Sequence, residues 1–410
     1  TFSNICIVGT SGSYVITFTS DPLTEIASNS FSVTAGSATQ LALTRDSVGT
    51  ASGAAFTTQP QVTLQDSGGN TVTTTGTTIT ASISVGGTLV GTTTANTVSG
   101  VATFSNLGIT GTASTSYTIT YSSGSLTTTT QSVTVSAGSS TKLYLSTSSV
   151  GTASGAAFTT QPQVTLQDSG GNTVTTTGTT ITASISVGGT LVGTTTANTV
   201  SGVATFSNLG ITGTASTSYT ITYSSGSLTT TTQSVTVSVG AAASISLTTS
   251  ASGAASGAAF TTQPVITIKD SGNNTVTSNT SVINATVSAG GTIVGSSTKT
   301  AVSGVATYSG LGLTGTAGSY TITYSVSSGS TSLTAITQSI TVSAGAATQM
   351  SISTQPSGAT VGSNFTSQPV IQLKDSGGNN ASTNSVVITA TLSSGTFNGG
   401  SSTATATTSS

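Results

Sequence analysis

An all-β fold, built as a tandem array of sandwiches of about 100 residues set end to end as a rod, is predicted by three observations. Residues 47–136 recur without a substitution as residues 149–238. Apolar and hydroxyl side chains alternate with a period of two inside every copy, the pattern of a half-buried strand. Clusters of Gly, Asn, Asp and Ser punctuate those runs at matching places, and no 3.6-residue periodicity occurs between them.

The first complete copy shows each element in turn. Leu41 and Leu43 open it, and Val62 and Leu64 form the next apolar pair. Asp66-Ser-Gly-Gly-Asn70 reads as a turn, with Asp accepting backbone N–H groups and Gly supplying positive φ. Ile79, Ala81, Ile83 and Val85 then alternate with Thr80, Ser82 and Ser84 and end at Gly86-Gly87. Ser99-Gly100 turns the chain into Val101 and Phe104. Tyr117, Ile119 and Tyr121 alternate with threonines up to Ser122-Ser-Gly-Ser125, and Val133 and Val135 close the unit. About seven strands per unit with these turns describe an immunoglobulin-like sandwich. Threonine is β-branched and suits the outer face of a strand without carrying charge. The alternation places the tyrosines on the inner face as core residues. The linker Val135-Ser-Ala-Gly-Ser-Ser-Thr141 is short and leaves little room for bending.

The repeat divides the chain into the second half of a unit at 1–37, complete units at 38–138 and 139–240, a diverged unit at 241–345, and the first part of another at 346–410. Thr1-Phe-Ser-Asn4 matches Thr103-Phe-Ser-Asn106, so the residues run in a circularly shifted register. Two arrangements suit that register: a stretch of a longer continuous array, or half-units that complete one another between copies of the chain, head to tail.

The string Val62-Thr-Leu-Gln-Asp-Ser-Gly-Gly-Asn-Thr-Val72, followed by Gly100-Val-Ala-Thr-Phe104 and Ser116-Tyr-Thr-Ile-Thr120, resembles bacterial Ig-like domains of the invasin and intimin type. The resemblance runs over the whole chain, with Asp66, Asp168, Asp270 and Asp375 marking the turn in four registers. Asn273 stands where the other turns have their second glycine. The resemblance implies modules of surface adhesins, stalks and fibres. The chain departs from that family's pattern in its nearly uncharged exterior.

Composition narrows the function. Five Lys plus Arg and seven Asp plus Glu leave a net charge of −2, and 3% charged residues compares with about 25% in ordinary soluble domains. Serine and threonine fill roughly two positions in five. Clustered basic residues, which nucleic acid or anionic membrane would require, are missing, and no apolar run is long enough to span a membrane. With no His, no Trp and one Cys, no nucleophile–base pair is apparent, so no enzyme and no cofactor is expected. Cys6 takes the place of Gly108 in the next unit and reads as an incidental strand residue.

The regularly placed aspartates Asp66, Asp168, Asp270 and Asp375 are thin candidates for calcium, because that ion takes about six to eight oxygens and usually several carboxylates. Lys269 and Lys374 precede two of them, and neighbours in a strand face opposite ways. Asn-x-Ser/Thr sequons at Asn273, Asn279, Asn284, Asn364 and Asn380 are candidate glycan sites, and O-glycans on exposed threonines would supply the solubility that charge does not. The expectation is an extracellular structural protein, the shaft of a cell-surface filament, fibre or stalk, with copies of itself as partners head to tail or side by side. The alternative is the repeat region of an adhesin that binds carbohydrate.

Overall fold

The computed structural model describes residues 1–328 and 333–409, so the stretch 329–332 of the diverged unit lies outside the described residues. Among the described residues every regular element is a strand. The first complete unit has ten: β1 (Gln40–Arg45), β2 (Ala54–Ala55), β3 (Gln61–Gln65), β4 (Thr78–Ile83), β5 (Thr88–Val90), β6 (Thr94–Val98), β7 (Val101–Thr103), β8 (Gly108–Thr110), β9 (Ser116–Ser122) and β10 (Thr129–Thr134).

Seven of these form one folded-over ladder in the order β10-β9-β4-β6-β7-β3-β1. The fold-over happens within β6. Its residues 94–96 pair with β4, while Thr97 and Val98 pair with β7 across the Ser99-Gly100 turn. Ser99 and Gly100 both take positive φ, the combination that suits a tight hairpin to strand twist. In the diverged unit the corresponding strands split into separate sheets of three and four strands. The two edges of the ladder meet again through parallel bridges, Gln40 with Thr127 and Ala51 with Ser136. Closing the edges this way leaves few free backbone groups for pairing with other chains. The short strands β2, β8 and β5 make a second, small sheet.

The period-two runs bury most of the side chains they were expected to bury, with Ile83 half-buried. Ile79, Ala81, Tyr117, Ile119, Tyr121 and Val133 all line the core, with Val62, Leu64, Phe104 and Leu107. Phe104 and Tyr121 rings meet at 5.4 Å, tilted by 56°. Three such buried clusters follow along the chain, spanning Leu41 to Val135, Leu143 to Val237 and Ile245 to Val342. Fully burying one such side chain is worth about 1.5–3 kcal/mol, so each cluster supplies a core of its own.

Two expectations need correction. Val85 does not continue the alternation, because β4 ends at Ile83 and Val85 stands fully exposed at a turn tip beside Gly86, whose φ is +92°. Cys6 is exposed and belongs to no strand, since the segment around it lacks the ladder partners that Gly108 finds in β2 and β5. The residues before the first complete unit form two ribbons, Gly12–Tyr14 with Phe31–Val33 and Thr17–Ser20 with Leu23–Ala27. Residues beyond the diverged unit also pair as two ribbons, Gln349–Thr354 with Val370–Lys374 and Val387–Thr391 with Thr403–Thr407.

Candidate functional site

The Asp-Ser-Gly turn sits where one unit meets the next and gathers hydrogen bonds from both sides. β3 ends at Gln65 and delivers Asp66 into the turn, where the side chain is buried. Its Oδ1 accepts the backbone N–H groups of Gly68 and Asn70, both at 2.9 Å. Gly69 takes φ +80° at the tip, and in the diverged unit Asn273 holds φ +66° at the same place. Asparagine is among the residues that tolerate this left-handed region, so it can take the glycine's place at the tip.

The far side of the carboxylate reaches out of the unit. Asp66 Oδ2 accepts the N–H of Gly36 in the linker at 2.8 Å. Asp168 receives Gly138 at 2.8 Å, Asp270 receives Gly240 at 2.8 Å and Asp375 receives Gly345 at 2.7 Å. The asparagine that ends the turn reaches further still. Asn172 Nδ2 donates to Gly111 O of the preceding unit at 2.8 Å, and its Oδ1 accepts the N–H of Ala113 at 2.7 Å. Asn70 does the same with Gly9 and Ser11, Asn274 with Gly213 and Ala215, and Asn379 with Gly315 and Ala317.

This surrounding of N–H groups holds the carboxylates ionised. Asp66 is held down to about 2, chiefly by the Asn70 side chain and then by the Gly36 N–H. For Asp168, Asp270 and Asp375 burial alone would push the carboxyl up, yet the linker N–H and the asparagine side chain outweigh it and the net shift is downward. As to the calcium candidates, both oxygens of each carboxylate are engaged by N–H donors. No group of three or more His, Cys, Asp or Glu side chains comes together among the described residues. The lysines before the turns bond to neutral oxygens: Lys269 Nζ to Asn273 O and Thr275 Oγ1, and Lys374 Nζ to Asn380 Oδ1.

The sequons fall in different surroundings. Asn273, Asn364 and Asn380 are exposed, Asn279 is half-buried, and Asn284 is half-buried in mid-strand between two ladder partners. Threonines and serines line the outer face of the β6-β4-β9-β10 sheet, where Thr94, Thr80 and Ser122, then Ser82, Thr120 and Thr130, stand in cross-strand rows, all exposed except the half-buried Thr120 and Ser122. No helix is long and apolar enough to cross a membrane.

No protein-family model matches the chain, and no curated protein matches it. Many solved structures do. The chain is similar to Ig-like bacterial adhesins. One is the Escherichia coli adhesin FdeC, at 17% identity over 75% of this chain and 99% of that one, with a TM-score of 0.25. Invasin, a bacterial integrin-binding protein, matches at 15% identity over 77% of this chain and 63% of its own, with a TM-score of 0.26. A β-glucuronidase of Parabacteroides merdae matches at 10% identity over 44% of this chain, with a TM-score of 0.20. The chain spans 22% of that enzyme's length.

Sequence reading found the turn and the role of its aspartate but missed the asparagine, Gly111, Ala113 and Gly138. The signal was present as a second repeated motif, Gly-Thr-Ala at 111–113, 213–215 and 315–317, 61 residues ahead of Asn172 and Asn274 and 64 ahead of Asn379.

Proposed function

We propose that this chain is an extracellular structural protein, the shaft of a cell-surface filament, fibre or stalk. The observation that supports the reading is the joint: the same side chains grip the preceding unit at four successive places. Units with cores of their own, each clamped to its neighbour, transmit load along the chain and give reach without a dedicated site in any one unit. Two units identical over 90 residues present two identical surfaces, so whatever they contact, they contact repeatedly. The Ser/Thr exterior, almost free of charge, supports a role in which bulk and length matter more than steering of a charged ligand. No reaction is proposed for it. The titratable groups with clear shifts are the joint carboxylates, whose oxygens accept hydrogen bonds, and core tyrosines, none of them grouped as a nucleophile with a base.

Electron microscopy of the purified chain, with immunogold labelling of intact source cells, tests both halves of the reading. Extended particles with one density per unit and label on the outer surface are expected. A collapsed particle would remove the shaft, and label confined to the cell interior would remove the location.

A further inference from the structure

We propose that the angle between successive units is set by the turn asparagine (Asn70, Asn172, Asn274 and Asn379) and not by the linker that joins them covalently. The inference rests on the array reading above and adds what fixes the geometry of the array.

The asparagine amide makes two directional contacts at once. Through Nδ2 and Oδ1 it meets a carbonyl and an N–H two residues apart, Gly111 O and Ala113 N in the joint between the two complete units. That is the pairing a neighbouring strand residue would offer, made by a side chain. Two such contacts fix rotation as well as distance, which a single bond would not. The amide cannot turn over, because Nδ2 also donates to Asp168 Oδ1 and Oδ2 at 3.1 and 2.9 Å. Flipping it would set an oxygen against a carboxylate. The asparagine therefore fits the preceding unit in one orientation only.

Shape reinforces the contact. A Cβ on Gly170 would lie 2.7 Å from Gly111 O, and one on Gly68, Gly272 or Gly377 would lie 2.3–2.4 Å from the matching carbonyl. The first turn glycine is thus the gap through which the preceding unit approaches. On the other side Gly53 faces Ser169, where a Cβ would stand 2.1 Å from Oγ. The second turn glycine, by contrast, faces open space at Gly69, Gly171 and Gly378. The diverged unit keeps Asp270, Gly272 and Asn274 and changes only that outward position, to Asn273.

The linker carries less of the geometry. It has no strand of its own between Thr134 and Lys142: Ser136 bonds back to Thr50 and Ser52 of the preceding unit, the Gly138 N–H reaches Asp168 and the Thr141 N–H reaches Gln167 O at 2.8 Å, and none of these pins two directional groups of one side chain at once. Separation along the chain does not set the joint either. The asparagine and its carbonyl are 61 residues apart at three joints and 64 at the fourth, where the diverged unit is longer, and the contact is made all the same.

Two variants of the full chain test this by single-particle electron microscopy of the angle between neighbouring units. Asn172→Ala is expected to broaden the distribution several-fold at the joint between the two complete units and to leave the joint at Asn274 unchanged. Inserting Gly-Gly between Ser139 and Ser140 lengthens the linker and is expected to leave the distribution as it was. An unchanged distribution in Asn172→Ala, or a broadened one in the insertion variant, would overturn the proposal. Should Asn172→Ala unfold the unit, seen as loss of its melting transition, the insertion variant decides alone. Failure of the array reading is separate, because it would show as collapsed particles in the unaltered chain.

Discussion

Replacing Ser47 and Ser149 by alanine should stabilise the two complete units, although it deletes a buried hydrogen bond from each. The Tyr121 and Tyr223 hydroxyls are buried without a hydrogen-bond partner. Burial pushes the Tyr121 phenol well up, and that of Tyr223 up to about 12; Ser47 and Ser149 are near enough to temper this without pairing properly. The neighbouring acceptor, Gln131 Oε1, is already taken by Ser47 N at 3.0 Å and Ser47 Oγ at 2.7 Å. The diverged unit shows the alternative. Ala251 stands in the place of Ser47, and Tyr324 OH donates to Gln338 Oε1 at 3.4 Å while Ala251 N donates to the same atom.

A net hydrogen bond is worth about 1 kcal/mol, whereas an orphaned buried hydroxyl costs about 1–3 kcal/mol. Ser→Ala should therefore gain up to about 2 kcal/mol per unit, and about 1 kcal/mol moves Tm by roughly 4–8 °C in a unit of this size. Calorimetry of the full chain would follow the two complete units together, with the diverged unit as internal reference. Tyr121→Phe with Tyr223→Phe should also stabilise the original chain, yet lose that benefit in the serine-to-alanine background, a coupling of about 1 kcal/mol or more. Destabilisation by Tyr→Phe in the original chain would refute the reasoning, because it would mean the hydroxyls already have a partner.

The joints supply the other predictions. The turn carboxylates have lowered pKa values in the folded chain, so their contribution is complete above the ordinary carboxylate range near 4 and is lost as pH falls through the folded value, about 2 at Asp66. Protection of the Gly36, Gly138 and Gly240 amides, taken as the exchange rate relative to an unstructured amide at the same pH, should hold from pH 8 to about 4 and fall only below that; a fall near pH 6 would contradict the assignment. Gly155→Ala should lower the Tm of the joint it serves, since the residue has φ +84° and its Cβ would sit 1.7 Å from Ser271 Oγ. The conformational part of that loss is about 1–2 kcal/mol. Adding calcium or a chelator should leave the calorimetric trace unchanged, because both oxygens of each turn carboxylate already accept N–H bonds. A calcium-dependent rise in Tm would reopen the aspartates as ligands.

The sandwich was legible in the sequence because its long strands pair a buried face with an open one. Tyr117, Ile119 and Tyr121 announce β9 by alternation alone. The small β2-β8-β5 sheet was not legible, since strands of two or three residues such as Ala54–Ala55 and Gly108–Thr110 are too short to show a period. Val85 misled for a related reason. It keeps the alternation for one more step, but Gly86 at φ +92° turns the chain away before the pairing can continue.

The joint was half legible, and the missing half explains where function lies in such an array. Asp66-Ser-Gly-Gly-Asn70 carries the local signature of a turn, so its aspartate and positive-φ position could be assigned from spacing. Its asparagine looks like any turn residue, because the partner that gives it meaning is 61 residues earlier and in another unit. A site made of backbone groups also leaves little trace in side-chain chemistry: Gly111 and Ala113 contribute a C=O and an N–H that any sequence possesses. What the sequence can record is the steric permission, namely glycine at 53 and 170, where a Cβ would run into the adjoining unit. In a chain whose units repeat without substitution, the residues to search for are thus the glycines that no turn within their own unit explains. Gly170 is one: its φ is not in the left-handed region, yet a Cβ there would lie 2.7 Å from Gly111 O of the preceding unit.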